Sequence, residues 1–445
     1  MTPVTRPAFD RRQDAVADLG WDPTGGDPIA LDPHVQTGTL IEVPPGTYCV
    51  PTGETAAVRA SGVERFGLRG LGDDPEGVRF RPEDEGDAYI LYLTDVRDVL
   101  LENYAVDYGE RETSGALGHV VLADDDLQVR RLRKQGFTPS TSNGDKWFLF
   151  LAVEDPNGEG LVDDVEYSGP AEITGHGASR GFGGAFDRHQ GTLTWRNLDV
   201  ENNPGDGAPY VGTSGTNHME NCRWKNCALA AARNGGSDSS IRDSEITVDL
   251  DDQNPRNVGT YEAANPVYWD PQNSEEAGGV IENVTIRVEE PSDPNGAGYA
   301  GGSLPAWGIV VDSAGGNVTI ENCDVTCNAD RVPAVLAHAP EKRWDRAPPD
   351  PDEWGILLRE TTIVGDGRLN EDDDLRNAAV VLERRPGSEV TDTTVDWPDA
   401  AYGVALVPWF DDRTEALVDD FGYDVGVAPI DDPAGNATVG NVYER

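Results

Sequence analysis

Apolar and polar positions alternate in short runs along most of the chain, and one composite run keeps returning. It reads aliphatic residues, an acid or polar residue, a corner residue that is often Asn, then a second alternating run. It recurs as LLENYAVD (from Leu100), LTWRNLDVE (from Leu193), HMENCRWK (from His218), IRDSEITV (from Ile241), VIENVTIRV (from Val280), VTIENCDVT (from Val318), LLRETTIV (from Leu357) and VTDTTVDW (from Val390). A period of two is the signature of a strand with one buried face. In VTIENCDVTC the pattern predicts Val318, Ile320, Cys323, Val325 and Cys327 pointing inward, with Asn322 turning the corner. One such unit cannot bury its own apolar face, whereas a stack of them can. The recurrence therefore predicts an all-β protein: a right-handed parallel β-helix solenoid of about eleven coils, with an N-terminal cap and an irregular C-terminal end.

Aligned on the corner, the runs place Arg65, Asn103, Asp164, Asn197, Asn221, Asp243, Asn283, Asn322, Glu360 and Asp392 in equivalent positions. Asn197, Asn221 and Asp243 follow one another at the spacing of a bare three-strand turn. Longer gaps read as the same turn with a loop inserted, and the longest, from Asn103 to Asp164, predicts one extra coil near Arg131. Asn103, Asn197, Asn221, Asn283 and Asn322 are expected to form a structural corner ladder, because stacked Asn side chains can hydrogen-bond from rung to rung. Residues 1–60 carry turn signals and a single strand, Thr39–Val43, and are expected to cap the exposed first edge. Residues 61–395 form the β-helix, and 396–445 hold a last coil and a C-terminal cap or partner-contact segment.

Charge narrows the function. Asp and Glu total 81 against 35 Lys and Arg, for a net −46, and only Lys134, Lys146, Lys225 and Lys342 are lysines. Such an excess repels itself unless salt screens it. Acid-rich, Lys-poor surfaces resemble those of proteins from extreme halophiles, so a salt-loving source is expected, and a fold that weakens on desalting. Nucleic acid is excluded as partner, since phosphate binding needs basic surface. No run of about eighteen apolar residues is present to span a membrane. The N-terminus has no export-signal pattern, which predicts assembly in the cytoplasm. The five Cys are too thinly spread for a disulfide framework.

Long insertions at 248–279, 289–307 and 328–354 fall on successive coils and are expected to gather on one side. They carry Tyr261, Tyr268, Trp269, Tyr299, Trp307, Arg343, Trp344 and Arg346. Aromatic faces beside polar donors suit a sugar, and Tyr261, Trp269, Tyr299, Trp307, Arg343, Trp344 and Arg346 are the candidate glycan or surface contacts. The alternative is that they pack the loops onto the shaft. The cluster Arg180, Asp187, Arg188 and His189 is a second candidate, weighed against a loop. No catalytic signature, metal-ligand spacing or phosphate loop is evident, and no catalytic, cofactor or metal residues are assigned. Loosely bound cations are the only ions expected.

The run DAVADLGWDPTGGDPIA…GTLIEVPPGTYCV (Asp14 to Val50) resembles the opening of the pectate-lyase-like superfamily, PPGTY being its clearest part, although Asp27-Pro28 replaces the usual Asp-Asp-Thr. HQGTLTWRNLDVENNPGDGAPYV (His189 to Val211) is similar to right-handed β-helix proteins of haloarchaea and their tailed viruses. These resemblances imply a homo-oligomeric structural and adhesive protein on a virion surface, a turret, spike or tail-fibre component. It would contact other virion proteins and a host surface glycan or glycoprotein. The alternative they leave open is an extracellular polysaccharide lyase, hydrolase or epimerase.

Overall fold

The computed structural model describes residues 7–445 apart from 30–34, 53–57, 140–146, 174–180, 186–187, 212–213, 272–276, 293–305, 342–347, 349, 370–376, 408–415 and 436. The chain divides into two compact units: Met1–Tyr210 with Asn254–Val258, and Val211–Gln253 with Gly259–Arg445. Each is a stack of right-handed parallel β-helical coils, right-handed because a parallel β-to-β crossover of L-residues closes that way.

In the first unit Thr39–Val43, Gly46–Val50 and Val58–Ser61 make one coil. They pair in parallel with Glu64–Gly70, Val78–Pro82 and the long strand Ala88–Asp107. Arg11–Asp14 already pairs with Thr39–Val43, so coil pairing begins well before residue 61. In the second unit Ala437–Val439 and Val442–Glu444 continue the pairing onto Ala416–Asp419 and Phe421–Val425. The stretch after 396 is thus built of coils as well.

The corners follow from backbone conformation. Asn103, Asn197, Asn221, Asn283 and Asn322 have φ of 63°, 54°, 52°, 56° and 51°. A left-handed residue costs an ordinary side chain about 1–2 kcal/mol, which Asn lowers through local hydrogen bonds. Asn322 donates to Asn283 Oδ1 at 2.6 Å, and Asn283 to Asp243 Oδ1 at 2.8 Å. Asn197 donates to Asp163 Oδ1 at 2.7 Å, whereas Asn103 reaches the Gly70 and Gly72 carbonyls at 2.9 and 2.6 Å. Arg131 also turns a corner, at φ 53°, giving the additional coil between Asn103 and Asp164. One alignment shifts: Arg65 stands opposite Asp98, and Gly70 is the residue opposite Asn103. Arg65 and Asp98 turn a separate left-handed corner, at φ 56° and 54°, while Gly70 is not left-handed and is held to Gly by crowding, since a Cβ there would lie 2.0 Å from the Asn103 carbonyl.

Inside the coils the strands stack side chain on side chain. Val318, Ile320, Cys323, Val325 and Cys327 are all 2 % exposed or less. The cores of the two units differ in kind. The first holds a run of rings, Trp21, Tyr48, Phe80, Tyr104, His119, Phe148, Tyr167, Phe182 and Trp195, with successive centroids 5.3–6.0 Å apart. The second is led by an aliphatic ladder in which Val267, Ile309, Val335, Val380 and Val404 lie one above the next.

Candidate functional site

The site grows out of the third strand of each coil in the second unit: Leu229–Asn234, Ala264–Trp269, Ile309–Val311, Val335–Ala337, Ala378–Glu383 and Tyr402–Val407. Residues sharing the parity of Val267 face the core, and the other parity faces out. One outward row reads Arg233, Tyr268, Val310, Leu336, Val381 and Ala405. Two residues further on, at or just past the strand ends, a second row reads Asp270, Asp312, His338 and Glu383. At one rung every 4.8 Å or so, these four span about 15 Å along the stack.

The groups engage one another. Arg233 Nη2 meets Asp270 Oδ2 at 2.6 Å, both side chains being 9 % exposed or less. The same guanidinium lies 5.4 Å from the centre of the Tyr268 ring. Tyr268 donates its hydroxyl to Asp312 Oδ2 at 2.5 Å, and Ser313 Oγ donates to Asp312 Oδ1 at 3.1 Å. His338 Nδ1 approaches Glu383 Oε2 at 3.4 Å, and the Ala339 N–H donates to the same oxygen at 3.1 Å. Burial acts to raise the Glu383 carboxyl, but the hydrogen bond and charge of His338, the Ala339 N–H and the Arg385 charge outweigh it. The carboxyl therefore sits below its ordinary range.

Accessibility separates the roles. Asp270 and Asp312 are 4 % and 1 % exposed, whereas the His338 and Glu383 side chains are 32 % and 22 % exposed. His338, donating from Nδ1 to Glu383, presents Nε2 as an acceptor, the arrangement of an oriented general base. Trp307 stands edge-on to the His338 ring, with centroids 6.0 Å apart and planes at 90°. Trp307 and Tyr402 pack half-buried against Leu336, Ala378, Val381 and Ala405. This gives one ring, Trp307, beside an acid–base pair, the combination that accepts the C–H face of a sugar, while Tyr402 stands at the far end of its strand, opposite Ala378.

The expected contact residues divide. Trp307 is at this face. Tyr261 and Trp269 are not surface contacts: they are 1 % and 0 % exposed. Trp269 shares the inward parity of Val267 and donates Nε1–H to the Gly278 carbonyl at 3.1 Å, while Tyr261 donates to the Asn226 carbonyl at 3.1 Å. Tyr299, Arg343, Trp344 and Arg346 lie outside the described residues, as do Arg180 and Asp187. His189 is buried in the first unit, accepting the Val153 N–H at 3.1 Å, and Arg188 pairs with Glu154. All five Cys are buried, and none forms a disulfide. Burial pushes the Cys323 and Cys327 thiols up to about 11 and about 12, as inert interior groups. Among the described residues no group of three or more His, Cys, Asp or Glu side chains is placed to hold a metal ion.

Asp270, Asp312, His338, Glu383 and Arg233 were not singled out by their local sequence. Each closes an aliphatic run, in PVYWD, IVVDS, VLAHA, VVLER and LAAAR. That third-strand phrase is the signal that could have found them.

No family model matches the sequence, and no curated protein matches it. Among solved structures, the chain is similar to the A-module of the Azotobacter vinelandii mannuronan C-5 epimerase AlgE6, with 13% identity and a TM-score of 0.45 over 98% of this chain and 99% of that one. The AlgE4 A-module of the same organism gives 13% identity and a TM-score of 0.37, over 97% and 100%. The catalytic unit of a thermostable GH87 alpha-1,3-glucanase from Streptomyces thermodiastaticus gives 16% and 0.37, over 100% of this chain and 70% of that one. No side chain of the site is assigned from these likenesses.

Proposed function

We propose that the second unit binds a glycan across its third-strand face and hydrolyses a glycosidic bond there. The observation that carries this is the four-rung row Asp270, Asp312, His338 and Glu383 with the half-buried ring of Trp307 against His338. A sugar ring stacks on Trp307. His338, oriented by Glu383, takes the proton of the attacking water, and the departing oxygen takes its proton from solvent. The covered Asp312 carboxylate, one rung from His338, favours from within the fold the positive charge that grows on the ring as the bond breaks. Elimination or epimerisation of a uronate would instead need a cation on the sugar's carboxylate and gives different products.

A second reading keeps the glycan contact without turnover: an adhesive protein on the particle surface of a virus with a salt-loving host. What favours it is that Asp270 and Asp312 are almost fully covered and already hold partners within the fold.

The test is incubation with neutral and acidic glycans at molar salt. New reducing ends, lost by about a hundredfold or more in Glu383→Gln and His338→Ala, support hydrolysis. Unsaturated or inverted uronate products replace hydrolysis by the lyase or epimerase reaction. Saturable binding with no product supports adhesion, and no binding of any glycan ends both readings.

A further inference from the structure

Arg385 is the largest charged side chain that the second unit buries completely, at 0 % exposure. It follows Arg384, whose φ of 48° turns the chain at the end of Ala378–Glu383. Its guanidinium meets carbonyls. Nη2 donates to the Asp312 carbonyl at 2.8 Å, and Nη1 donates to those of Gly315 and, at 3.3 Å, Trp354. The first two bracket the turn that carries Asp312, itself closed by the Gly315 N–H on the Asp312 carbonyl at 2.9 Å. The third belongs to the segment entering the next coil. Ser388 secures the other end: its hydroxyl donates to the Arg385 carbonyl at 2.7 Å and accepts the Ile356 N–H at 3.0 Å.

Burying a guanidinium among carbonyls costs several kcal/mol, and an apolar side chain of similar volume would avoid that cost. The placement says what the charge does. Arg385 ties the Asp312 turn to the Glu383 strand, two residues past Glu383. Burial lowers the guanidinium to about 9, against the opposing pull of Asp312 and Glu383. Among the described residues, Arg233, Tyr268 and Asp270 stand on further rungs of the same strand face.

We propose that Arg385 is a positioning residue, clamping the Asp312 turn with its planar fork and setting a fixed positive charge behind the His338–Glu383 pair. The proposal rests on the reading of that pair as the acid–base centre, but its test does not require turnover.

The experiment follows the Glu383 side-chain carboxyl by NMR against pH, in the full chain at molar salt, for the wild type, Arg385→Gln and Arg385→Lys. The Arg385 charge helps hold the Glu383 carboxyl below its ordinary value, so Arg385→Gln moves the Glu383 midpoint up by half a unit or more. Arg385→Lys keeps the charge without the fork. It leaves the midpoint in place and lowers glycan affinity or turnover about tenfold. An unmoved midpoint in a folded Arg385→Gln overturns the electrostatic role, and full function in Arg385→Lys overturns the clamp. If Arg385→Gln does not fold, a shifted midpoint in Arg385→Lys overturns the electrostatic role instead. A wild type that neither binds nor cleaves glycan, with a Glu383 midpoint that still rises in Arg385→Gln, removes the proposed function and leaves the positioning role standing.

Discussion

The first unit holds its polar chemistry inside the coils, and the second carries it on the opposite face of its strands, covered at Asp270 and Asp312 and partly open at His338 and Glu383. In the first, Lys134 is fully buried. Its Nζ donates to the Gly136 carbonyl at 3.0 Å, the Thr138 hydroxyl at 2.5 Å and the Ser168 carbonyl at 3.1 Å, between the rings of Tyr108 and Tyr167. His119 is likewise sealed, against the Tyr104 hydroxyl at 2.8 Å and the Phe148 carbonyl at 3.1 Å. Each spends its hydrogen-bonding capacity on its own fold. In the second unit the inward parity is led by aliphatic residues, and the opposite parity holds Arg233, Tyr268 and the row from Asp270 to Glu383. A perturbed titratable group is therefore no sign of a site by itself in this architecture. The face of the strand it stands on decides.

The largest effect that sharpens this contrast lies in the ring stack. Phe148 stands within 6.2 Å, centroid to centroid, of His119, Tyr167 and Phe182. Phe148→Ala is expected to cost about 3–5 kcal/mol, against about 0.5–1.5 kcal/mol for Ile309→Val in the aliphatic ladder. Urea denaturation at fixed molar salt measures both. Equal losses would mean that the two cores are energetically alike despite their composition.

Lys134 gives a smaller effect with a definite sign. Burial drives its amine down to about 7, with Asp107 pulling the other way. From there up to the ordinary lysine value the unfolded chain binds the extra proton, so stability rises with pH in that interval. The raised thiols of Cys323 and Cys327 oppose this once unfolded cysteines ionise, which confines a clean reading to roughly pH 7 to 8. The wild-type urea midpoint is expected to climb across that window and the Lys134→Met midpoint to stay flatter. Parallel slopes in the two proteins would place the charged amine comfortably inside the core and break the contrast between the units.

The stack was legible because its signal is local. Val318, Ile320, Cys323, Val325 and Cys327 declare their parity within ten residues, and an Asn at a left-handed corner announces itself in one. Arg65 misled because it turns a left-handed corner of its own, in register with Asp98 rather than with Asn103. The site was illegible for the opposite reason. Asp270, Asp312, His338 and Glu383 come from four coils separated by loops of different length, and only register aligns them. Trp269 and Tyr268 show how fine the distinction is. One residue apart, the first is a core ring and the second faces the carboxylates, because parity in a strand reverses at every step.

The smallest effect tests whether the corners work by conformation or by hydrogen bonding. Asn322 has φ 51° and donates to Asn283 Oδ1 at 2.6 Å on an exposed edge. Asn322→Ala loses the bond and forces a Cβ without compensation into the left-handed region, an expected loss of about 1–2 kcal/mol. Asn322→Gly loses the same bond but adopts the conformation freely, so its loss should stay near half of that or less. Matching losses would assign the ladder to side-chain hydrogen bonding. A large gap would mean that Asn recurs at these corners for its backbone, which also explains why Glu360 and Asp392, at φ 47° and 50°, can stand in its place.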